Sequence, residues 1–417
     1  MSKTFVEKIL GNSSGKDATS GTIVEVEPDL CMSHDNAGLV IKKFREIGSP
    51  DVWNPEKVVI ILDHRAPAES IKTANEHRNI RDFVTQQGIK NFYGIGEGIC
   101  HQIVIEKLFI LPGQIAIGTD SHTTSYGAIA AFSTGVGATE MAAVWATGKI
   151  WFKVPESYKV VIRGNIPQGV YAKDIILSII GNIGSGGAIY KSIEFYGETV
   201  EKMTISDRFV LSNQSMEMGA KSAVIAFDRM TANYISEKGV FAFEPIFADN
   251  DAVYEKIFEY DVSHMEPQVA FPHSVDNVKP VSEAKSIKPN QVFIGSCTNG
   301  RMDDLEIAAK ILDGKKIAKH VRLIIGPASK EIYLKAIKTG LIEIFLSSGA
   351  VIINPGCGPC LGAHQGIIAD GEIAGSTTNR NFKGRMGSTE GEVYLVSPAT
   401  AAATAITGKI TDPREFL

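Results

Sequence analysis

The chain has 417 residues, enough for two or three domains if a domain takes about 150 residues. Hydrophobic residues make up 44% of the sequence and charged residues 21%, and this balance excludes disordered and fibrous proteins. The formal net charge is -5, so the sequence lacks the basic surplus that binds nucleic acids or acidic membranes.

Membrane insertion and secretion are not expected. The longest stretch of low charge, residues 127–148, is interrupted by Glu140 and by repeated Gly, Ser and Thr, which is not typical of a membrane-spanning helix. The N-terminal segment carries Lys3, Glu7 and Lys8 and lacks the apolar core of a signal peptide. We therefore expect a cytoplasmic protein, in which five cysteines indicate metal binding or catalysis rather than a disulfide framework.

Short apolar runs recur along the chain and end at glycine or polar residues, at 58–62, 115–118, 158–162, 291–294, 321–325 and 350–353. Their continuous apolar character is typical of strands covered on both faces of a sheet. Helix-like stretches lie between several of these runs; residues 302–312, for example, place Leu305, Ala308 and Leu312 on one face. Strands that alternate with helices predict an α/β architecture with mainly parallel sheets.

Two polar, proline-containing segments indicate boundaries between structural units. Residues 153–157 interrupt a helix-like stretch before a new strand, and residues 267–288 resemble a linker. We therefore predict three units, at about 1–155, 156–285 and 286–417.

Reactive polar residues follow four of the predicted strands. Asp63 and His64 end the run VVIILDH, Asp120, Ser121 and His122 end IAIGTDSH, Cys297 ends VFIGSC, and Cys357 and Cys360 end VIINPGCGPC. Because ligands of α/β sheets bind beyond the carboxyl ends of strands, these endings predict one composite site. For Asp63 or Asp120 taken alone, a purely structural role is an equally good interpretation, because an aspartate after a strand often only caps the next helix. Four histidines lack such a setting and are interpreted as background residues: His77, His264, His273 and His320.

Three chemistries are open to the cysteines at these strand ends. Cys357-Gly-Pro-Cys360 has the spacing of a redox pair, although Cys297 would then be idle and the expected following helix is not indicated. A structural zinc held by the three thiolates and His364 is permitted by the spacing. An iron–sulfur cluster with three cysteine ligands is slightly favoured; it would leave one iron open as a Lewis acid. Two isolated cysteines are predicted to be buried small apolar residues, Cys31 and Cys100.

Four motifs together resemble those of a known family. GTDSHT, GSCTNGR, NPGCGPC and STTNRNFKGR resemble the signature segments of the aconitase superfamily, and they occur in that family's order between Asp63 and Arg385. The resemblance extends over essentially the whole chain. It implies three aconitase-like α/β/α domains with mainly parallel sheets around a central cluster site. It also implies a hydro-lyase that isomerises a hydroxylated di- or tricarboxylate by dehydration and rehydration.

The resemblance further implies roles for individual residues. It implies one 4Fe–4S cluster per chain with one open iron. The three cysteine ligands implied for this cluster are Cys297, Cys357 and Cys360. Catalytic acid–base and hydrogen-bonding groups around that iron are implied at Asp63, His64, His101, Asp120, His122 and Glu217. Asn213 and Asn379 resemble neighbours of the cluster, and Glu217 resembles a group that hydrogen-bonds near its bound water. Arg380 and Arg385 resemble the binders of the substrate carboxylates, a task suited to planar guanidinium groups.

One departure from the family predicts a partner. Single-chain members carry a fourth, mobile domain with a serine base beside an arginine, in a Ser-Ser-Arg segment. This chain has no such segment, because both of its Ser-Ser pairs, Ser13-Ser14 and Ser347-Ser348, are followed by glycine. We therefore expect a separate small subunit to complete the site, and neither a nucleic acid nor a membrane as partner. His34-Asp35-Asn36 stands where members carry a glutamine-led segment that contacts substrate, so the contacts there are open.

Two functions of another class remain as alternatives. A zinc-stabilised binding protein would use the same thiols, and an RNA-binding protein would be the form that has lost its cluster. The negative net charge gives little support to RNA binding. Metal analysis after anaerobic preparation separates the zinc alternative from the enzyme, which is expected to hold about four irons per chain and no zinc.

Overall fold

The first third of the chain forms a five-stranded sheet. The structure is a computed structural model that describes residues 2–417. The strands of this region are β1 (Ile23–Val26), β2 (Leu30–Ser33), β3 (Val58–Ile61), β4 (Asn91–Tyr93), β5 (Ile115–Gly118), β6 (Phe132–Gly135) and β7 (Ile150–Lys153). Of these, β1 and β7 form a separate two-stranded ribbon. The helices are α1 (Phe5–Ser14), α2 (Ala37–Ile47), α3 (Ile71–Gln86), α4 (Cys100–Glu106) and α5 (Ala138–Thr147). The sheet order is β4-β3-β2-β5-β6 with every pair parallel, and β1 pairs antiparallel with β7.

The middle of the chain forms a four-stranded parallel sheet. Its strands are β8 (Ser157–Arg163), β9 (Ser192–Tyr196), β10 (Ser222–Ile225) and β11 (Lys256–Asp261). Its helices are α6 (Ala172–Ile183), α7 (Glu198–Lys202), α8 (Ile205–Gln214) and α9 (Arg229–Ser236). The sheet order is β10-β9-β8-β11.

The last part of the chain forms a seven-stranded mixed sheet. Its strands are β12 (Gln268–Ala270), β13 (Val278–Pro280), β14 (Gln291–Ile294), β15 (Arg322–Ile325), β16 (Val351–Ile352), β17 (Ile373–Ser376) and β18 (Glu392–Leu395). Its helices are α10 (Ser296–Asn299), α11 (Met302–Leu312), α12 (Lys330–Lys338), α13 (Leu341–Ser348) and α14 (Pro398–Thr407). The order is β13-β12-β18-β17-β14-β15-β16, in which only the pairs made by β12 are antiparallel.

The α/β prediction with mainly parallel sheets is confirmed, and one detail of it is wrong. The segment 267–288 is not a linker, because it carries β12 and β13, and β12 pairs with β18 at the edge of the third sheet. Strands of three residues are too short to show a periodic pattern in the sequence. The division into three units at 155 and 285 stays a prediction.

The strand order reverses within each of the three large sheets, and two of these reversals lie beside predicted site residues. The five-stranded sheet reverses between β2 and β5, and the seven-stranded sheet between β14 and β17. In open α/β sheets the loops beyond the carboxyl ends of strands diverge at such a point and leave a crevice for ligands. His34 and Asp120 follow β2 and β5, while Cys297 and Asn379 follow β14 and β17. The topology therefore puts the predicted site residues at two crevices.

Buried aromatic side chains hold the helices on the first sheet. Phe44 of α2, Phe83 of α3 and Trp145 of α5 are at most 2% exposed, and the ring centroids of Phe83 and Trp145 lie 5.7 Å apart. Burying a side chain of this size contributes about 1.5–3 kcal/mol. This packing gives a fixed position to α2 and α3, which border the cavity described below. Within residues 2–417 no helix is long and apolar enough to cross a membrane.

Candidate active site

One cavity of about 1030 Å³ gathers the predicted site residues. Ten of the thirteen line it: His64, His101, Asp120, His122, Cys297, Cys357, Cys360, Asn379, Arg380 and Arg385. The other three lie behind this lining, and each hydrogen-bonds to a side chain that lines the cavity: Asp63, Asn213 and Glu217. The structure thus brings all thirteen residues together, while their individual roles stay predictions.

His64 lies between two carboxylates. Its Nδ1 atom is 2.7 Å from Oδ1 of Asp63, and its Nε2 atom is 3.5 Å from Oδ2 of Asp120. Burial alone would lower the pKa of the imidazole, but the negative charges of Asp63 and Asp120 raise it well above its ordinary value. The other oxygen of Asp63 accepts the backbone N–H of Cys100 at 2.7 Å, which fixes the carboxylate at the start of α4. The two carboxylates therefore favour the protonated form of His64 at the wall of the cavity.

Asp120 is the centre of a group of histidines. Its Oδ1 atom lies 2.8 Å from Nε2 of His101 and accepts the backbone N–H of His122 at 2.8 Å. Burial would raise the pKa of this carboxyl, but the hydrogen bonds from His101, His122 and His64 hold it well below its usual range. Asp120 therefore stays ionised at neutral pH and orients three imidazoles around one point.

Glu217 connects His122 to Arg380. Its Oε1 atom is 2.8 Å from His122 Nε2 and 2.8 Å from Arg380 Nε, and Arg380 Nη2 donates to Ser121 Oγ at 3.0 Å. Burial would raise the pKa of Glu217, but the hydrogen bond from His122 lowers it below its ordinary value. For His122 burial acts in the other direction and would lower the pKa, but the hydrogen bonds to Asp120 and Glu217 raise the pKa above its ordinary value. Among residues 2–417 none accepts a hydrogen bond from Nη1 of Arg380, so that donor is available to a ligand.

Cys297 lies in a strained turn directly after β14. The preceding Ser296 has a φ of 74°, a left-handed conformation that costs energy for a residue with a side chain. Asn213 donates from Nδ2 to the sulfur at 3.4 Å, and Oδ1 of Asn379 lies 3.6 Å from the same sulfur. Burial raises the pKa of the Cys297 thiol to about 11. The turn therefore presents a buried sulfur that is held by two amide side chains.

The CGPC segment lies against the turn that carries His64. The backbone N–H of Cys357 donates to the carbonyl of Asp63 at 2.8 Å, and a Cβ atom at Gly356 would lie 3.0 Å from that carbonyl oxygen. Arg385 donates from Nη2 to the sulfur of Cys360 at 3.3 Å. The hydrogen bond from Cys357 and then the charge of Arg385 hold the pKa of Cys360 well below its usual range. These contacts therefore favour the thiolate form of Cys360, which lines the cavity.

These donors fit an iron–sulfur cluster with three cysteine ligands. All three thiols are free and line one cavity, and the buried Nε atom of Arg385 has no hydrogen-bond partner within residues 2–417. A guanidinium beside sulfur atoms suits a negatively charged group. Zinc fits less well, because His364 does not line the cavity and its Nε2 atom lies 2.8 Å from the carbonyl of Pro67. The redox pair also fits poorly, since Cys357 is followed by a short 3-10 helix, Gly358–Leu361.

Asp35 organises the turn after β3, a role that could not be assigned from the sequence. Its Oδ2 atom accepts the backbone N–H groups of Asp63 and His64 at 2.9 and 2.7 Å, and its Oδ1 atom accepts that of Arg65 at 3.1 Å. His77 donates from Nε2 to Oδ1 at 2.9 Å and does not line the cavity, which agrees with its interpretation as a background residue rather than a catalyst. Burial would raise the pKa of Asp35, but the hydrogen bond from His77 and the backbone donors lower it. The sequence signal is an acidic residue two positions after the buried strand β2.

His34 stacks on His64 at the edge of this network. The two ring centroids are 4.0 Å apart with an angle of 27° between the planes, and burial lowers the pKa of His34 to about 4. His34, Asp35, Asp63 and His64 offer ligand atoms within 4.8 Å of one another. Both carboxylates already accept hydrogen bonds at each oxygen, so this group is a hydrogen-bond network rather than an open metal site.

Comparison with known proteins identifies the family. The model of the aconitase family (aconitate hydratase) matches residues 7–408. The chain is similar to 3-isopropylmalate dehydratase large subunit 1 of Methanopyrus kandleri, with 50% identity over 100% of both chains. It is also similar to a probable 3-isopropylmalate dehydratase large subunit of Methanothermobacter thermautotrophicus, with 52% identity over 99% of both chains. A probable methanogen homoaconitase large subunit of Methanosarcina mazei is 51% identical over 93% of this chain and 99% of its own.

A solved structure supports the same fold. Aconitase X of Thermococcus kodakaraensis, in its holo-form, superposes with a TM-score of 0.50 over 90% of this chain and 89% of its own, at 12% identity. At that identity the likeness concerns the fold alone. The family match covers nearly the whole chain, and the relatives match it along their full length. The chain belongs to the aconitase family.

Proposed function

We propose that this chain is the large, cluster-bearing subunit of a 3-isopropylmalate dehydratase. This hydro-lyase converts 2-isopropylmalate to 3-isopropylmalate in leucine biosynthesis by removing and re-adding water. The observation that carries the proposal is one cavity that joins three free thiols, histidines paired with carboxylates, and two arginines. Relatives with that printed name, at 50% and 52% identity over the full length, support this substrate.

The three cysteines are proposed to hold one 4Fe–4S cluster per chain. Cys297, Cys357 and Cys360 would each ligate one iron, which leaves the fourth iron without a protein thiolate. When bound, such a cluster supplies an open iron as a Lewis acid for the departing hydroxyl group. The hydrogen bonds from Asn213 and Arg385 to two of the sulfurs support the role, because donors to the ligand atoms stabilise the thiolate form.

The histidines are proposed to move the protons of the reaction. His64 carries a proton that its two carboxylates hold, so it is suited to protonate the departing hydroxyl oxygen. Asp120 keeps His101 and His122 in fixed orientations, and Glu217 fixes the other ring nitrogen of His122. A positioned proton transfer contributes about 10²–10⁴-fold to the rate.

The two arginines are proposed to bind the substrate carboxylates. Arg380 is fixed through Nε and Nη2, which leaves Nη1 to donate to a carboxylate in the cavity. Arg385 lines the same cavity beside Cys360. A guanidinium that pairs with the carboxylate next to the carbon that loses a proton also stabilises the negative charge that develops there.

A separate small subunit is proposed to supply the base that removes this proton. Within residues 2–417 the lining of the cavity contains no serine side chain, and the similar proteins are named large subunits. We also propose a cytoplasmic location, because the five cysteines are free thiols as expected in a reducing compartment.

Homoaconitase is the second candidate, because a relative named as its large subunit is 51% identical to this chain. The test is anaerobic reconstitution with iron and sulfide, followed by assembly with a small subunit of each type. Turnover of isopropylmalate and of homocitrate is then measured separately. We expect the isopropylmalate complex to be the active one. Turnover of homocitrate alone would favour the second candidate, and turnover of neither substrate with any small subunit would refute both.

A further inference from the structure

Lys173 is a fully buried lysine that the reaction as proposed above does not use. It lies in the first turn of α6 with 0% of its surface exposed. Burying an ammonium is costly, and the positive end of the helix dipole at this turn adds to the cost. A residue kept at such a position needs compensating contacts.

The ammonium of Lys173 binds the loop that carries Asn379 and Arg380. Its Nζ atom donates to the carbonyl of Thr378 at 2.7 Å and to that of Thr377 at 3.2 Å. Both threonines are fully buried and stand directly before the two site residues. The chain leaves β17 at this point, so the two carbonyls set the direction in which it enters the cavity.

The same loop is tied to the turn before Cys297. Thr377 Oγ1 accepts the backbone N–H of Gly295 at 3.0 Å, and the backbone N–H of Thr377 donates to the carbonyl of Phe293 at 3.0 Å. Lys173 therefore fixes the point at which the carboxyl ends of β14 and β17 are joined.

The ammonium of Lys173 is compensated at hydrogen-bond distance by backbone carbonyls rather than by a carboxylate. Within residues 2–417 Lys173 forms no ion pair within 4.0 Å, and the adjacent Asp174 accepts the backbone N–H groups of Gln268 and Tyr171 instead. Burial lowers the pKa of Lys173 to about 7, and the charges of Cys297, Cys360, Glu217 and Asp304 act against that lowering. The hydrogen bonds of its Nζ atom go to the two backbone carbonyls of the loop.

We propose that Lys173 is a positioning residue that directs Arg380 toward the substrate by fixing the carbonyls of Thr377 and Thr378. This rests on the proposed function of Arg380 as a carboxylate binder. The Nζ atom is suited to the task because it donates to two adjacent carbonyls at once, which the thioether of a methionine at this position does not do.

The test compares Lys173→Met with Lys221→Met, a matched control. Lys221 is half-buried, its Nζ atom lies 5.4 Å from the centroid of the Phe152 ring, and it does not line the cavity. Two quantities are measured. The first is amide hydrogen exchange of the peptide 376–381 in the iron-free, full-length chain. The second is KM and kcat of the reconstituted complex.

We expect K173M to accelerate exchange in 376–381 and to raise KM about tenfold or more, with a smaller change in kcat, while K221M stays within about twofold. Lys173→Arg is expected to restore KM, since it keeps the charge and the donors, whereas Lys173→Gln is not. Unchanged exchange and KM in K173M would overturn the proposal. Failure of all three Lys173 variants to fold, while K221M folds, would make the residue structural and also overturn it. If the wild-type complex turns over neither substrate, the proposed function fails, while the exchange result still tests the positioning.

Discussion

Replacing Asp35 by Ala removes the carboxylate that holds the turn carrying His64. Three backbone N–H groups, of Asp63, His64 and Arg65, lose their acceptor, and His77 loses its partner. Hydrogen bonds to a charged group contribute about 1.5–3 kcal/mol each, but water entering the space left by the side chain satisfies part of the loss. We therefore expect the free energy of unfolding to fall by about 3–5 kcal/mol.

The same substitution is expected to lower turnover. The turn positions both the imidazole of His64 and the carbonyl of Asp63 that accepts the N–H of Cys357. A displacement of about 1 Å at a reacting group costs about 10²-fold in rate. Urea unfolding and kcat of the reconstituted complex are measured for Asp35→Ala and for His77→Ala, which removes only one of the four partners of Asp35. The reasoning would be refuted if D35A kept an unfolding free energy within about 1 kcal/mol of wild type and a kcat within about threefold of wild type. Both limits lie well below the expected losses.

Asp35→Asn tests the charge through its pH dependence. The pKa of Asp35 is lower in the folded chain than in the unfolded chain, where it is about 3.9, so the charged form stabilises the folded state above that pH. This stabilisation is lost as the pH falls through the folded-state value. The gap in unfolding free energy between wild type and D35N is therefore expected to be constant near neutral pH and to narrow below about pH 4. A gap that widens on acidification would contradict the assignment.

Two further substitutions test the cavity directly. Arg380→Lys is expected to lower turnover about 10²-fold, because an ammonium does not keep the bonds to both Glu217 and Ser121 while it binds a carboxylate. Kinetics like those of wild type would count against that role. Cys357→Ala is expected to abolish the broad visible absorption of the reconstituted chain, whereas Cys31→Ala, at a buried residue outside the cavity, is expected to keep it. Full absorption in C357A would exclude Cys357 as a ligand.

Much of the fold and the family could be predicted from local signals. Continuous apolar runs marked buried strands such as β3 and β5, and the motifs around Cys297 and Cys357 indicated the aconitase family, which the family match confirms. Cys31 and Cys100 are buried with 0% exposure, as predicted for small apolar residues. These features depend on residues close together in the chain, so the sequence alone reveals them.

The supporting contacts of the site depend on residues far apart in the chain. His77 meets Asp35 across 42 positions, and Lys173 meets Thr378 across 205. A histidine on a helix or a lysine before an apolar stretch has many structural explanations, and only the tertiary arrangement selects among them. The strand β12 cannot be predicted for a different reason, since its three residues are too few to show a periodic pattern.

The iron content of the active complex tests the proposed chemistry most directly. The complex is prepared anaerobically with its small subunit, assayed for turnover, and analysed for iron, sulfide and zinc in the same sample. We predict about four irons and four sulfides per large chain with no zinc, and a Mössbauer spectrum in which one iron differs from the three bound by thiolate. An active complex that contains no iron, or whose four irons are all coordinated by protein thiolates, would contradict the assignment.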